Sequence, residues 1–368
     1  MVPGPTRYAV SQVDDIKSSF ELFMRNSCSS LLMETQEEDE LCFPQFLNSS
    51  CKKPTLLWSQ TVILKIASFI SVLTVFLNLL IIISISHFRQ LHTPTNSLVL
   101  SLAVSDFLVG LLLMPVEIFR KEACWLLGDI VCVLYNYLTF HIVSASLGNI
   151  ILITVDRYVA ICYPLHYPIR FSVAKVNCSV CLCWLWYAFY SIFFLKDELI
   201  QPGRGKSCIG ECVVIINFVI VTIDLVMNFI IPVIFIIFMY IRVFMAVVSQ
   251  ARAMHSHVTT VKPQVSVNLR KKRQRTKTSE LKAARTLGVV VFVYLMCYCP
   301  FYCFSLIGDN LKNTSSTSFL FFFFLLIYFN SCLNPLIYAL LYPWFKKAAK
   351  IILTLQILRP GSCDASIL

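Results

Sequence analysis

Long apolar stretches, separated by short polar clusters, dominate the pattern of hydrophobic and polar positions along the chain. A helix needs about 20 predominantly apolar residues to cross a bilayer, and seven stretches of the sequence meet that requirement. They lie at roughly 59–86, 96–119, 129–161, 174–195, 213–245, 282–307 and 318–341. Charged clusters such as Lys196-Asp197-Glu198 bound them. The pattern therefore predicts an all-α membrane protein, built as a bundle of seven transmembrane helices.

Composition and charge agree with that prediction. The chain is 57% hydrophobic and only 14% charged, whereas soluble globular domains carry about 25% charged residues. The net charge of +11 could indicate nucleic-acid binding, but basic residues concentrate between Arg252 and Lys282 and directly after the last stretch. The region before the first stretch is acidic at 34–40. Since basic loops stay in the cytoplasm, we expect the amino terminus outside the cell and no nucleic-acid partner.

The start of the chain carries no signal-peptide pattern, because residues 1–32 lack an apolar segment. The first transmembrane helix is therefore expected to direct membrane insertion. Met33 opens the acidic stretch, so we expect residues 1–32 to be an alternative start or a gene-model extension. Asn48-Ser49-Ser50 matches the glycosylation pattern, and Asn48 is a candidate glycosylation site on the outer tail.

Polar residues inside the apolar stretches are candidate functional positions, because a charge in the hydrocarbon costs about 2.5–3.5 kcal/mol. Asp106 lies midway along the second stretch, and five further polar residues lie at comparable depth in other stretches. These are Asn78, Ser146, Asn330, Ser331 and Asn334. Together they could hold a hydrated sodium ion on Asp106, or they could satisfy one another as a hydrogen-bond network without an ion. The sequence suggests no other cofactor or metal site.

Two motifs near the cytoplasmic side indicate a switch. Asp156-Arg157-Tyr158 ends the third stretch, where the arginine can exchange a carboxylate for the backbone of an incoming protein. Glu280 is a candidate carboxylate partner. Asn334-Pro335-Leu336-Ile337-Tyr338 is predicted to break the seventh helix near its inner end, and Pro232 and Pro300 are predicted to bend the fifth and sixth. Kinked helices of this kind supply the bistable element that a switch requires.

These motifs resemble those of the rhodopsin-like (class A) G-protein-coupled receptors over the region from Asn78 to Phe345. Residues 330–345, 88–96 and 282–288 are similar, more specifically, to segments of the trace amine-associated receptors. These segments are the seventh-helix signature, the first inner loop and the start of the sixth helix.

The resemblance and the topology together predict three regions. Residues 1–57 form an outer tail, residues 58–342 a seven-transmembrane receptor domain, and residues 343–368 a short cytoplasmic amphipathic helix with a tail. The expected location is the plasma membrane, with several membrane crossings and an extracellular amino terminus. No nucleophile–base pair or Gly-rich phosphate loop is present in the sequence, so an enzyme is not expected.

The resemblance also implies two disulfides on the outer side. One joins Cys132, at the outer end of the third helix, to Cys212 in the second outer loop. The other joins Cys51 in the outer tail to Cys208. The sequence assigns no partner to Cys42 or Cys124, although outer cysteines are in a compartment where disulfides persist.

The expected ligand contact departs from the usual pattern of amine receptors. Those receptors normally carry a third-helix aspartate for the ligand ammonium, at the position of Thr139 here. The fifth stretch instead carries Asp224, and the chain resembles a fish-expanded group of trace amine-associated receptors with the same exchange. The resemblance implies that Asp224 is the ammonium counter-ion. The alternative is a protonated Asp224 that bonds to a third-helix polar group such as Asn136.

Other residues are expected around the same ligand. Glu117 could hold a second ammonium and favour a diamine, but we prefer an ion pair with Arg120 on the same helix face. Tyr298 stands where such receptors usually carry a tryptophan. The aromatic residues expected to line the cavity and to add cation–π contacts are Tyr135, Tyr298, Phe301, Tyr302 and Tyr328.

The implied activity is that of a receptor for volatile or biogenic amines. Arg157, Tyr240 and Tyr338 would form the cytoplasmic surface for a heterotrimeric G protein of the stimulatory type, which raises cAMP. The implied tissue is the olfactory epithelium. A class A receptor for a peptide or lipid is the alternative, and a transporter or channel is a more remote one, although transporters usually show internal repeats.

Overall fold

The computed structural model describes residues 40–258, 288–305, 315–341 and 343–367. The chain divides into two compact units. The smaller unit comprises the tail up to Pro54 together with Ser207–Gly210, and the larger unit comprises the remaining residues.

The larger unit is helical. The elements in chain order are α1 Trp58–His87, α2 Pro94–Glu122, α3 Gly128–Cys162, α4 Val173–Phe194, α5 from Phe218 to Val258, α6 Gly288–Ser305, α7 Ser315–Leu341 and α8 Pro343–Leu353. Short helices at Tyr167–Arg170 and Lys196–Ile200 lie in the connections after α3 and α4.

The length and composition of the helices suit a membrane. Within the described ranges, six helices are long and apolar enough to cross a bilayer, and α7 adds the apolar stretch Phe321–Ile337. The helices expose large apolar side chains such as Phe69, Val72, Trp186 and Phe189. Since water would not favour such surface, these faces are suited to lipid.

The sequence pattern predicts the positions of the helices better than their ends. The fifth stretch is predicted at 213–245, but α5 begins at Phe218 and continues to Val258. The Asn217 side chain accepts a hydrogen bond from the Val219 N–H at 3.0 Å and so caps the helix. At its carboxyl-terminal end the helix continues past residue 245, because hydropathy reports the end of the apolar stretch and not the end of the helix.

Proline residues do not break the helices, because neighbouring helices supply the missing partners. The predicted break at Pro335 is wrong: α7 continues through it to Leu341. Pro335 cannot donate to the Ser331 carbonyl, and the Asn78 amide of α1 donates to that carbonyl instead, at 3.1 Å. Lipid offers no partner for such a group, so this contact allows the helix to continue.

The same compensation occurs in α5. Pro232 leaves the Asn228 carbonyl without its helical partner, and the Tyr294 hydroxyl of α6 lies 3.5 Å from that oxygen. The helix adopts a π-helical turn at Leu225–Ile230, immediately after Asp224. Because π-turns frequently mark functional positions, this turn makes the neighbouring Asp224 a candidate functional residue.

The predicted amphipathic helix after the seventh span is present as α8. Trp344, Phe345 and Ala348 are buried against the bundle, while Lys346 and Lys347 are exposed. This arrangement gives α8 one apolar face and one basic face, as expected for a helix at a membrane surface.

The smaller unit is held by a disulfide and a few backbone hydrogen bonds. Cys51 and Cys208 are joined, with Cα atoms 5.0 Å apart, as the family resemblance implies. The Cys51 N–H donates to the Ile209 carbonyl at 2.9 Å, and Cys42 is also disulfide-bonded. Asn48 lies exposed in a turn, where its side chain is accessible.

Candidate ligand-binding site

A cavity of about 680 Å³, part of it open to solvent, lies between α2, α3, α5, α6 and α7. It brings together all nine residues that the sequence predicts for ligand binding, which are Glu117, Tyr135, Asn136, Thr139, Asp224, Tyr298, Phe301, Tyr302 and Tyr328. Small-molecule sites are typically concave and mostly apolar, with a few polar groups that converge on the ligand. The geometry of the cavity therefore suits a small ligand.

Asp224 is the carboxylate at the α5 side of the cavity, and three neutral groups donate to it. The Tyr190 hydroxyl of α4 lies 3.0 Å from Oδ1, and the Asn228 amide lies 2.7 Å from the same oxygen. The Tyr302 hydroxyl of α6 lies 3.3 Å from Oδ2. Within the described ranges, no lysine or arginine nitrogen lies within 4.0 Å of this carboxylate.

The suggestion that Asn136 bonds to Asp224 is wrong. The Asn136 amide donates to the Cys132 carbonyl at 2.8 Å, one turn earlier on the same helix. Tyr190 and Asn228 are the partners that the sequence interpretation did not find. The spacing of four residues between Asp224 and Asn228 was a usable signal, since such residues are neighbours on a helix.

Glu117 forms the ion pair with Arg120 that we preferred. The Arg120 Nη2 lies 2.8 Å from the carboxylate, and only 3% of the Glu117 side chain is exposed. The Tyr135 hydroxyl donates to the same carboxylate at 3.0 Å. Arg120 also donates to the Cys212 carbonyl at 3.1 Å, and its guanidinium lies 5.8 Å from the centre of the Tyr135 ring.

Thr139 lines the cavity and carries no charge. Its hydroxyl donates to the Tyr135 carbonyl at 2.9 Å, within the same helix, and it also shares a hydrogen bond with the Tyr328 hydroxyl. The third-helix position that would normally carry the aspartate therefore offers a neutral hydroxyl that is already engaged.

Aromatic rings form an aromatic wall of the cavity, made of Tyr298, Phe301 and Tyr302 of α6. Tyr298 stacks on Tyr294 with ring centres 4.3 Å apart, and Tyr302 stacks on Phe229 at 4.5 Å. Phe301 packs at the α7 side of the same wall, where it contacts Phe324. Rings in this arrangement suit an apolar ligand body and a cation at their faces.

A second polar cluster surrounds Asp106, which is fully buried. The Asn334 amide donates to its Oδ2 at 2.8 Å, and the Ser146 hydroxyl lies 3.4 Å from Oδ1. Ser331 also hydrogen-bonds to this carboxylate. The Asn334 Oδ1 and both polar atoms of the Asn330 amide are buried without a hydrogen-bond partner. Unpartnered buried oxygens beside a carboxylate fit a hydrated cation as well as they fit water alone.

The carboxyl-terminal end of α3 contains a compact ion pair. The Arg157 Nε donates to the Asp156 carboxylate at 2.9 Å, and the hydroxyls of Thr95 and Tyr167 donate to it at 2.9 and 2.6 Å. Burial and the hydrogen bond to Asp156 raise the pKa of Tyr167 above its usual range. The Tyr167 phenol therefore stays protonated at physiological pH and remains a donor to Asp156.

Of four other predicted switch residues, the structure describes the side chains of two, Tyr158 and Tyr240. Tyr158 packs against Tyr163 with ring centres 5.9 Å apart. Tyr240 of α5 lies against Gly288 of α6, where a side chain in place of the glycine hydrogen would meet its hydroxyl. Glu280 and the side chain of Tyr338 lie outside the described residues, so the interaction predicted between Glu280 and Arg157 stays a prediction.

A disulfide joins Cys132, near the start of α3, to Cys212, the pairing that the resemblance implies. Their Cα atoms are 5.6 Å apart. Since Arg120 bonds to the Cys212 carbonyl, the disulfide also fixes one acceptor of the cavity wall. Cys124, which the sequence left without a partner, is disulfide-bonded too.

Comparisons with known proteins agree with this geometry. Residues 77–338 match the family described as 7 transmembrane receptor (rhodopsin family). Trace amine-associated receptor 13c of Danio rerio is 34% identical over 343 residues, which cover 91% of this chain and 98% of the relative. Trace amine-associated receptor 6 of Pan troglodytes is 37% identical over 349 residues, with coverage of 93% and 98%.

These matches cover most of the chain and are matches to receptors, so the transporter or channel alternative is excluded. Trace amine-associated receptor 1 of Mus musculus extends the likeness, with 34% identity over 84% of this chain. The chain therefore belongs to the rhodopsin family of seven-transmembrane G-protein-coupled receptors and, within it, to the trace amine-associated receptors.

Proposed function

We propose that this receptor is activated by an organic amine and that Asp224 is the counter-ion of the ligand ammonium. The observation that carries the proposal is a carboxylate that lines the cavity and receives neutral donors, with no cation within reach in the described ranges. The names of the relatives, which are trace amine-associated receptors, support an amine ligand.

The arrangement around Asp224 favours a cation over a neutral ligand. Tyr190, Asn228 and Tyr302 orient both carboxylate oxygens. A charge-assisted hydrogen bond is about twice as strong as a neutral one, so an ammonium gains most from this preorganised acceptor. The aromatic wall then surrounds the hydrocarbon part of the ligand. With Thr139 uncharged, the ammonium has its anchor on α5 and not on α3.

The test is a cAMP screen of mono-, di- and polyamines on the wild type and the Asp224→Asn variant in parallel. We expect the variant to lose amine-evoked cAMP while surface expression, measured on an extracellular epitope, persists. Asp129→Asn is the matched control, because Asp129 pairs with Lys206 at 2.6 Å and does not line this cavity. An unchanged dose response in Asp224→Asn would refute the proposal and favour a non-amine ligand.

Activation would proceed by population shift, since a ligand stabilises whichever receptor state binds it better. In the active state, Arg157 would leave Asp156 and contact the carboxyl-terminal helix of a stimulatory G protein, together with Tyr240 and Tyr338. The amino terminus would lie outside the cell and the basic segment before α6 in the cytoplasm, at the plasma membrane. Nucleotide exchange on purified stimulatory and inhibitory α-subunits, driven by the amine, tests the coupling; exchange only on the inhibitory subunit would contradict it.

The cluster around Asp106 would hold a hydrated sodium ion in the inactive state. Asp106, Ser146 and Asn334 would supply oxygen ligands, with Asn330 beside them. The bound ion would neutralise a carboxylate that the low dielectric of the bundle otherwise penalises. Amine potency should then fall as sodium replaces potassium at constant ionic strength, and Asp106→Asn should remove that dependence. A sodium effect that persists in Asp106→Asn would favour the network without an ion.

A further inference from the structure

A second carboxylate besides Asp224 lines the cavity, and the chain neutralises it. Glu117 is buried, lines the cavity and accepts from Arg120 and from the Tyr135 hydroxyl. Without Arg120, this carboxylate would be a second ammonium site, in a cavity whose other anion is Asp224. The position of Arg120 therefore bears on which amines the receptor accepts.

Arg120 is held in place by three separate contacts. It bonds to the Glu117 carboxylate at 2.8 Å and to the Cys212 carbonyl at 3.1 Å, and its guanidinium lies over the Tyr135 ring at 5.8 Å. The disulfide between Cys132 and Cys212 fixes the carbonyl that it contacts. A planar guanidinium with several directed donors loses little freedom in such a setting. Arg120 is thus a fixed part of the cavity wall and not a mobile surface charge.

The net charge of the lining residues matches that of a single ammonium. The lining contains two carboxylates, Glu117 and Asp224, and one guanidinium, Arg120, so its net charge is a single negative. Lys121, on the same helix, is not among the lining residues, and its ammonium lies over the Phe321 ring at 5.5 Å. A monoamine brings this balance to neutrality, whereas a diamine would bring an excess positive charge.

We infer that Arg120 makes this receptor selective for monoamines over diamines, because it occupies the position beside Glu117 that a second ammonium would need. The inference rests on the proposed binding of the amine at Asp224. The second ammonium of a diamine would be stripped of water among aromatic rings and would face a guanidinium, with no free carboxylate to compensate. A monoamine of the same length would place only a methyl group at that end.

The test compares straight-chain monoamines with the diamines of the same chain length, from four to ten carbons, in a cAMP assay. For the wild type we expect each monoamine to be at least tenfold more potent than its matching diamine. A diamine as potent as its monoamine at any of these lengths overturns the inference while leaving the proposed function intact. If amines of neither type raise cAMP in cells that display the receptor, the proposed function itself fails.

Three variants then assign the selectivity to Arg120. Arg120→Gln frees Glu117 and should shift the diamine-to-monoamine potency ratio at least tenfold towards the diamine. Glu117→Gln/Arg120→Gln removes both charges, restores the single negative charge, and should return the ratio to the wild-type value. Lys121→Gln is the matched control, because it removes one positive charge from the same helix turn without freeing Glu117, and should leave the ratio nearly unchanged.

A buried, unpaired Glu117 is destabilising, and Arg120→Gln therefore carries a risk of poor folding. The inference remains testable if this variant does not fold. In that case the test rests on the diamine-to-monoamine potency ratios of the wild type and of the double variant, which leaves no unpaired buried charge. A double variant that gains diamine responses would show that Arg120 acts only as steric bulk and would contradict the charge argument. An Arg120→Gln receptor that reaches the surface with wild-type selectivity would contradict it equally.

Discussion

Asp224 and Asp156 are two acidic residues with similar hydrogen-bond partners and different charge environments. Each accepts from tyrosine hydroxyls: Asp224 from Tyr190 and Tyr302, and Asp156 from Tyr167. The difference is the cation. Asp156 has Arg157 beside it in the chain, whereas Asp224 has neither lysine nor arginine within ion-pair distance among the residues described.

This difference indicates what each site does. An internal ion pair holds a resting arrangement until another partner competes for the arginine. A carboxylate that has only neutral donors forms its strongest hydrogen bonds when a cationic ligand binds. The two sites lie at opposite ends of the α-helical bundle, so the ligand site and the switch need not share a residue. Two changes test this interpretation: placing a cation beside Asp224, and removing the ion pair between Asp156 and Arg157.

The largest effect should come from giving Asp224 a cation of its own. Asn228→Lys places an ammonium on the residue whose amide already lies 2.7 Å from the carboxylate. The tethered ammonium should compete with the ligand for Asp224. Loss of a buried charged contact costs roughly 2–5 kcal/mol, so we expect amine EC50 values to rise about thirtyfold or more, measured as cAMP dose–response curves.

The control for that variant is Asn228→Gln, which keeps an amide and adds similar length without charge. It should change the EC50 much less than Asn228→Lys does. If the lysine variant reaches the surface and keeps the wild-type dose response, then Asp224 is not the counter-ion, and the contrast with Asp156 has no functional meaning.

The next effect comes from removing the charge that holds Arg157. In Asp156→Asn, Arg157 loses its carboxylate, and the resting arrangement loses an ion pair of which Asp156 is fully buried. Even about 1 kcal/mol of lost stabilisation shifts a two-state population about fivefold, so basal cAMP should rise several-fold. Asp129→Asn, the same substitution in the first turn of the same helix, should leave basal cAMP unchanged; an equal rise there would remove the special role of Asp156.

The sequence predicts the helices well, and the reason is physical. Lipid imposes a length of apolar chain on every crossing, so the seven segments can be read directly from hydropathy. Hydropathy cannot predict a long-range contact that allows a helix to continue where the local sequence predicts a break. Pro335 looked like a break in the seventh helix, but Asn78 satisfies the freed Ser331 carbonyl from a position 253 residues away. No local pattern in the sequence contains that contact.

The site shows the same division between local and long-range information. Glu117 and Arg120 are three residues apart, so their pairing follows from helix geometry. Asp224 was found because it is a charge in an apolar stretch. Tyr190, by contrast, is one aromatic residue among many in α4, and nothing in the sequence distinguishes it from the residues that face lipid. Its contact with Asp224 depends on how α4 packs against α5.

A smaller effect is expected from the neutral donors to Asp224. Tyr302→Phe and Tyr190→Phe each remove one hydroxyl while keeping the ring. A neutral hydrogen bond contributes about 0.5–1.5 kcal/mol, so each EC50 should rise about two- to tenfold in the cAMP assay. Tyr137→Phe serves as the control, since that ring stacks on His141 and not on Asp224. If both hydroxyl deletions leave potency unchanged, the donors do not orient the carboxylate for the ligand.

The smallest effect should follow from Tyr167→Phe at the other aspartate. The variant removes the hydroxyl that donates to Asp156 at 2.6 Å but leaves Thr95 and Arg157 in contact with the same carboxylate. Because the pKa of Tyr167 is raised by burial and by that hydrogen bond, the wild-type hydroxyl is neutral at physiological pH, and its deletion changes no charge.

The loss is therefore one neutral donor, and the ion pair that remains should limit the rise in basal cAMP to about twofold. Basal cAMP in Tyr167→Phe and Asp156→Asn, compared at equal surface expression, measures the difference. A rise in Tyr167→Phe as large as in Asp156→Asn would mean that the phenol, rather than the arginine, determines the resting state. In that case neutral donors would determine the function of both Asp156 and Asp224. The presence of Arg157 beside Asp156 would then no longer distinguish the switch from the ligand site.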